Sequence, residues 1–257
     1  VLRDRIDAMP PGGVYAITIP KIPYRCPPGP YERACQVAWR LSRTNPRAKV
    51  LILDANEKIV SKEPLFKAAF AERYAGMIDY LPSSELTDVD AGTRTAKLQF
   101  DDVRADVLDV IPPMKAAAIA ERAGLITANG KWCEVDFLTY ESKAVPRVHV
   151  LGDAILAAPL MPKSGHMANQ HAKVCAAAVI ALLAGETPNP EPMLNNTCYS
   201  FVSDRDCVHI ASVHRYDADQ KTMLVVPGSG GLSSAANALE GEYAQAWSRA
   251  IWGDMFL

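Results

Sequence analysis

Apolar residues come in short runs separated by longer stretches of helical periodicity, a rhythm that predicts alternating strands and helices. Residues 14–19 and 50–54 read as two strands of a parallel sheet flanking a helix over 31–42; before them, 2–9 reads as the end of a helix and 10–13 as a turn. A helix is predicted within 57–74, with Pro64 near its start and Leu65, Ala68 and Ala69 facing inward. After a short strand at 78–81, the segments 86–89, 95–100 and 106–111 are separated by polar turns and predict a β-meander closing this part of the chain. Pro112 and Pro113 mark a crossover, 116–123 reads as a helix ended by Gly124, and 131–136 leads back towards a short strand at Val148, Val150 and Leu151 that stops at Gly152 and Asp153. A polar loop, 161–165, then opens an Ala-rich helix over 166–184, stopped by Gly185. Three prolines in alternate positions within 186–192 form the strongest linker signal. Beyond it, 199–202, 208–214 and 223–226 read as antiparallel strands and 240–251 as a terminal helix.

Composition narrows the class. With 257 residues, 49% of them hydrophobic, the chain has ample material for a buried core, in one large domain or two small ones. A net charge of −2 without basic clusters argues against a nucleic-acid partner. No apolar run reaches the length of a membrane span; the nearest, 174–183, is too short. The first residues lack the charged-then-apolar pattern of a signal peptide, and no Gly-x-Gly-x-x-Gly follows a strand.

Candidate chemistry gathers at two places. Asp153 stands at the carboxyl end of a predicted strand, where open α/β sheets bind ligands. Ser164 is a candidate N-cap and Lys163 sits beside the positive end of the long helix, so cation and helix together favour negative charge, either a phosphate or a charge that develops during reaction. The second place is the loop after the first strand. In a nucleotide-binding βαβ unit this turn would hold glycines, and Asp54 would supply the ribose acid. The turn instead reads Arg25-Cys-Pro-Pro-Gly-Pro30, whose prolines lack the required N–H groups. A dinucleotide-type domain that does not bind NAD is therefore expected. Of the six cysteines, none forms Cys-x-x-Cys, and His166 and His171 lie on different helix faces, so no metal site is expected. Cys26 should be exposed, with Arg25 favouring its thiolate, and Cys198 falls at a loop-to-strand start. Cys35, Cys133, Cys175 and Cys207 read as structural. By itself Glu32 is a helix-start carboxylate, and Trp247 and Trp252 are core-packing aromatics.

Three segments carry a family resemblance. Val150-Leu-Gly-Asp-Ala154 with Pro162-Lys-Ser-Gly165 resembles the second flavin-contacting segment of the FAD-dependent disulfide-reductase superfamily. Tyr24-Arg-Cys-Pro-Pro-Gly-Pro-Tyr-Glu-Arg33 and Asn196-Thr-Cys-Tyr-Ser200 resemble the flavoprotein subunit of flavocytochrome c sulfide dehydrogenase. The resemblance, from about Gly13 onward, implies an α/β fold with two dinucleotide-binding domains: an NAD-like Rossmann domain over 1–111 carrying the cysteine loop, part of an FAD-binding domain over 112–187, and a C-terminal α+β domain over 188–257. It implies FAD contacted by Gly152, Asp153, Lys163, Ser164, Gly165 and Trp247, a redox disulfide between Cys26 and Cys198, and Glu32 as proton acceptor. It further implies hydrosulfide as substrate, a c-type cytochrome subunit as partner, a periplasmic location, and an N-terminal part of the flavin domain, with its glycine fingerprint, outside this sequence. Two alternatives are a sulfide:quinone oxidoreductase, for which Trp252, Met255, Phe256 and Leu257 would provide membrane contact, and a cofactor-free interaction module.

Overall fold

The computed structural model of the chain describes residues 1–256, arranged in two compact units. The first comprises Val1–Pro113 with Tyr199–His209 and Ser233–Ser248; the second comprises Met114–Cys198, Ile210–Leu232 and the residues from Arg249 on.

After a short helix α1 (Leu2–Asp7), the first unit is built on a four-stranded parallel sheet. Strand β1 (Val14–Ile19) feeds helix α2 (Gly29–Thr44), which returns to β2 (Lys49–Asp54); helix α3 (Glu63–Arg73) then leads to β3 (Ile78–Leu81). These elements meet the sequence expectation to within a few residues, because β-branched and apolar runs buried on both faces specify parallel strands directly. The inward stripe of α3 shifts: Phe66 and Phe70 are buried beside Leu65 and Ala69, whereas Ala68 is half-buried.

The expected meander needs a correction. Strands β4 (Leu86–Asp90), β5 (Thr95–Leu98) and β6 (Asp102–Arg104) form the antiparallel sheet, but the last segment, β7 (Val107–Val110), leaves it and pairs in parallel with β1, giving the order β3-β2-β1-β7. Tyr15 pairs with Val107 and Thr18 with Val110, so the open flank of β1 is closed by a distant segment. Chain order reverses at β1, and ligand crevices of open sheets lie outside the carboxyl ends of strands at such a point.

In the second unit, the short helix α4 (Ala118–Arg122) ends at Gly124, whose φ is +68°. The strand expected over Val148–Leu151 does not form: it makes a single bridge, His149 to Glu141, and bonds Val150 N–H to the Tyr140 carbonyl. A strand needs a ladder, and this segment finds isolated partners instead. Its end is a tight 3₁₀ turn, Gly152–Ala154, with Gly152 at φ +69°. Helix α5 (Gly165–Leu183) follows, capped by Ser164 and closed at Gly185. Its inner face joins Val135, Tyr140, Ile155, Met161 and Leu194 in the core of this unit. Strands β8 (Met193–Phe201) and β9 (Cys207–Asp217) pair, and β9 also takes β10 (Thr222–Val225) and β11 (Gly231–Leu232) antiparallel before the terminal helix α6 (Ala238–Phe256).

Candidate functional site

In the first unit the loop after β1 folds back on itself. Gly29 N–H donates to the Cys26 carbonyl at 2.8 Å, closing a turn that places Cys26 at φ +52°. A Cβ on Gly29 would stand 3.0 Å from the Cys26 sulfur, so a glycine is what lets the thiol turn over the start of α2. Buried Tyr24 steadies the turn by donating to the Pro27 carbonyl at 3.1 Å. Cys26 itself is exposed, Cys198 is half-buried, and Cys35, Cys133, Cys175 and Cys207 are buried; all six are thiols in this structure.

Asp54 does not stand open for a ribose. It is fully buried and accepts hydrogen bonds from Tyr31 Oη at 2.6 Å, Tyr80 Oη at 3.0 Å, and Asn56 N and Nδ2 at 2.9 and 2.7 Å. The acid is legible in the sequence, but its use depends on tyrosines from α2 and β3. Arg33, which the sequence does not single out, is a further cation near Cys26. Burial works against the Arg33 charge, but its 2.9 Å bond to Asp109, and the nearby Tyr15 and Cys26 groups, hold its pKa above the ordinary value.

Glu32 lies on the first turn of α2, half-buried rather than solvated, and accepts the Phe201 N–H at 2.8 Å. Burial pushes its carboxyl pKa up; the Phe201 N–H, the Lys62 charge and the Ser200 hydroxyl pull it back. Lys62 was not visible as a functional residue in the sequence. It is the N-cap of α3, at φ +56°, is 3% exposed, and donates to Ser200 Oγ at 2.8 Å. Trp247 on α6 is half-buried, its ring centroid 6.1 Å from that of Tyr199, which in turn lies 5.9 Å from the His209 ring.

The second unit brings the other expected residues together. Lys163 Nζ donates to the carbonyls of Asp153 at 3.0 Å and Ile155 at 2.6 Å and stands 3.7 Å from the centroid of the Trp132 ring. Its charge is thus buried and fixed against the turn, rather than extended in front of α5. Gly152 N–H donates to His171 Nδ1 at 3.2 Å, which makes that nitrogen an unprotonated acceptor. Ser164 Oγ caps α5 by accepting from Met167 N at 3.1 Å and donates to Asn196 Oδ1 at 2.5 Å. That bond fixes the orientation of the Asn196 amide, whose Nδ2 then donates to the Cys198 sulfur at 3.5 Å. Cys198 is thereby tied to the start of α5 through Asn196, a link hidden in the sequence because Asn196 lies 32 positions after Ser164. Gly165 is exposed, with nothing within 4 Å of where a Cβ would be, leaving the N-terminus of a 19-residue helix open. The positive end of this helix, exposed at Gly165, fits an anionic group such as a reduced flavin ring. No helix among the described residues is long and apolar enough to cross a membrane. On α6, Trp252, Met255 and Phe256 are exposed; Leu257 lies outside the described residues.

Two family models match the chain: the central part of the sulfide dehydrogenase [flavocytochrome c] flavoprotein chain over residues 1–112, and the flavin-binding part of flavocytochrome c sulphide dehydrogenase over 190–256. Among solved structures, a chain of the Tetrahymena thermophila mitochondrial ATP synthase assembly is similar with a TM-score of 0.61 at 20% identity, covering 80% of this chain and 51% of that one. An FAD-dependent pyridine nucleotide-disulphide oxidoreductase from Desulfovibrio vulgaris gives 0.53 at 12% identity, covering 89% and 61%. An NAD-dependent persulfide reductase from A. fulgidus gives 0.52 at 13%, covering 93% and 49%. These likenesses describe the fold, the mixed α/β class with parallel and antiparallel sheets that the sequence led one to expect. The chain spans about half the length of the solved structures it matches.

Proposed function

The chain belongs to the flavocytochrome c sulfide dehydrogenase flavoprotein family, and from that premise we propose that it is part of a periplasmic sulfide-oxidising flavoprotein that passes electrons to a c-type cytochrome subunit. FAD is the cofactor of this family; when bound it accepts an electron pair and gives the electrons up singly. Asp153, Ser164 and the open N-terminus at Gly165 would hold it, with Gly152 shaping the turn, Lys163 supplying a fixed positive charge and Trp247 contributing an aromatic face. The N-terminal part of the same flavoprotein would supply the glycine fingerprint for the pyrophosphate. NAD plays no part in this reading, since Asp54 is committed to tyrosines and the turn after β1 is filled by prolines and a thiol.

The sulfur chemistry falls to the cysteines. In the oxidised protein Cys26 and Cys198 form a disulfide. Hydrosulfide attacks one of its sulfurs, the cysteine S–S bond breaks, and a persulfide forms on one residue while the other leaves as a thiolate. Re-forming the cysteine bond releases the substrate sulfur at the zero oxidation level, one proton and an electron pair. Glu32 takes the proton, and a bound flavin would accept the pair.

The observation that carries this reading is the solvent access of Cys26 and Cys198 against the burial of the other four cysteines. It is tested in the full flavoprotein. Cys198→Ser should still bind flavin that dithionite reduces, yet lose its rapid bleaching by sulfide; Cys175→Ser, in the buried face of α5, should change neither. Rapid bleaching that survives in Cys198→Ser refutes the mechanism. A second reading, delivery to a membrane quinone, is favoured by the exposed Trp252, Met255 and Phe256. Turnover with quinone in liposomes but not with cytochrome c would select it.

A further inference from the structure

A lysine buried at the N-cap of a helix in the left-handed region carries two costs at one position. The backbone strain is about 1–2 kcal/mol, and a buried ammonium must find acceptors. Lys62 bears both, at φ +56° and 3% exposure. Its Nζ donates to Ser200 Oγ at 2.8 Å and lies 3.5 Å from the Val208 carbonyl, both on paired strands β8 and β9.

Hydrogen-bonding rules fix the direction of the chain that follows. An ammonium only donates and a carboxylate only accepts. The Ser200 hydroxyl, which bonds to both Lys62 and Glu32, therefore receives a proton from Lys62 and points its own at the Glu32 carboxylate. The second anchor of Glu32 is the next residue along β8, the Phe201 N–H at 2.8 Å. The carboxylate is held in one orientation by two consecutive residues of β8, and a buried cation stands behind one of them.

We propose that Lys62 is the positioning residue for the proton acceptor: acting through the Ser200 hydroxyl, it keeps Glu32 ionised, and so able to take a proton, at the pH where hydrosulfide reacts. The proposal rests on the reading of Glu32 given above. Other ionisable groups face the same cluster: Cys35 one turn along α2 and Cys207 on β9, and beyond them Arg73 of α3 and Glu240 of α6. Burial pushes Cys207 up to about 11 and Cys35 higher still, so neither thiol adds a negative charge; Arg73 acts on Cys35, and the charge that lowers the Glu32 pKa is that of Lys62.

The test follows the carboxyl directly, because the substrate itself titrates. In the full flavoprotein without sulfide, the carbonyl stretch of protonated Glu32 is followed by infrared difference spectroscopy against pH, with Glu32→Gln identifying the band. Lys62→Asn, whose side chain suits both the left-handed region and an N-cap, should raise the Glu32 midpoint by roughly one pH unit. Lys62→Arg should restore it. Ser200→Ala, which leaves the charge in place but cuts the relay, should raise it by less and serves if Lys62→Asn fails to fold. A Glu32 midpoint unmoved in Lys62→Asn, or in Ser200→Ala where that variant must stand in, overturns the proposal. Sulfide bleaching judges the underlying reading separately: bleaching undiminished in Glu32→Gln across the pH range removes Glu32 from the reaction, whatever the infrared titration shows of its coupling to Lys62.

Discussion

His171 offers a quantitative test of how the turn at Gly152 is held. It is 3% exposed, its ring centroid lies 4.8 Å from that of Tyr140, and its Nδ1 accepts the Gly152 N–H. Burial, and after it the Lys163 and His214 charges, lowers its pKa from 6.5 to about 4. A base whose folded pKa is depressed stabilises the fold above its unfolded pKa. That contribution is lost as pH falls from 6.5 towards 4, because the unfolded chain binds the proton first. The gap between the two values corresponds to about 3 kcal/mol. In a unit of this size that is a fall in Tm of roughly 10 °C, beyond whatever the carboxylates contribute. The perturbation is His171→Phe, which keeps a ring against Tyr140 but cannot titrate. At pH 7 the variant should be less stable by about 1–3 kcal/mol, since the buried Gly152 N–H loses its acceptor. Thermal unfolding of both proteins from pH 7 to 4 should show the wild type falling towards the variant and meeting or crossing it near pH 4, with titrations common to both cancelling in the difference. Parallel curves would refute the reasoning and show that His171 is already protonated, or solvated, in the folded protein.

Three further outcomes are expected. Asp54→Ala leaves two tyrosine hydroxyls and the Asn56 donors without their common acceptor and should destabilise the protein by about 3 kcal/mol or more, seen as a large drop in denaturant midpoint; Asp54→Asn should be milder. Gly152→Ala places a residue with a Cβ at φ +69° and within 3.2 Å of the Ala168 methyl. It should cost about 1–2 kcal/mol and release flavin from the full flavoprotein on gel filtration. Lys163→Met should lower the FAD reduction potential by roughly 30 mV, equivalent to about 1.4 kcal/mol for a two-electron couple, because a fixed cation favours the anionic reduced form; an unchanged potential in a redox titration would show that its charge is spent on the Asp153 and Ile155 carbonyls.

Local signals in the sequence determined the elements whose causes are local. Val14–Ile19 is a strand because a β-branched apolar run is buried along nearly its whole length, and α5 starts after Ser164 and closes at Gly185 because an N-cap hydroxyl and a left-handed glycine act on their own neighbours. The exposed thiol of Cys26 was legible too, since prolines and Gly29 leave that turn few conformations. What the sequence could not determine was partnership. Residues 107–110 carry the same alternation whether they close a meander or complete a parallel sheet, and the free flank of β1 decided between them. Val148–Leu151 has strand composition but finds no ladder. Asp54 reads as a ribose ligand until Tyr31 and Tyr80 reach it, and Lys62 carries no functional signal until Ser200, 138 residues away, accepts a hydrogen bond from its ammonium. Hydrogen bonds between distant residues leave no periodicity in the chain, because each partner need only be polar and correctly placed, and placement is a property of the folded structure alone.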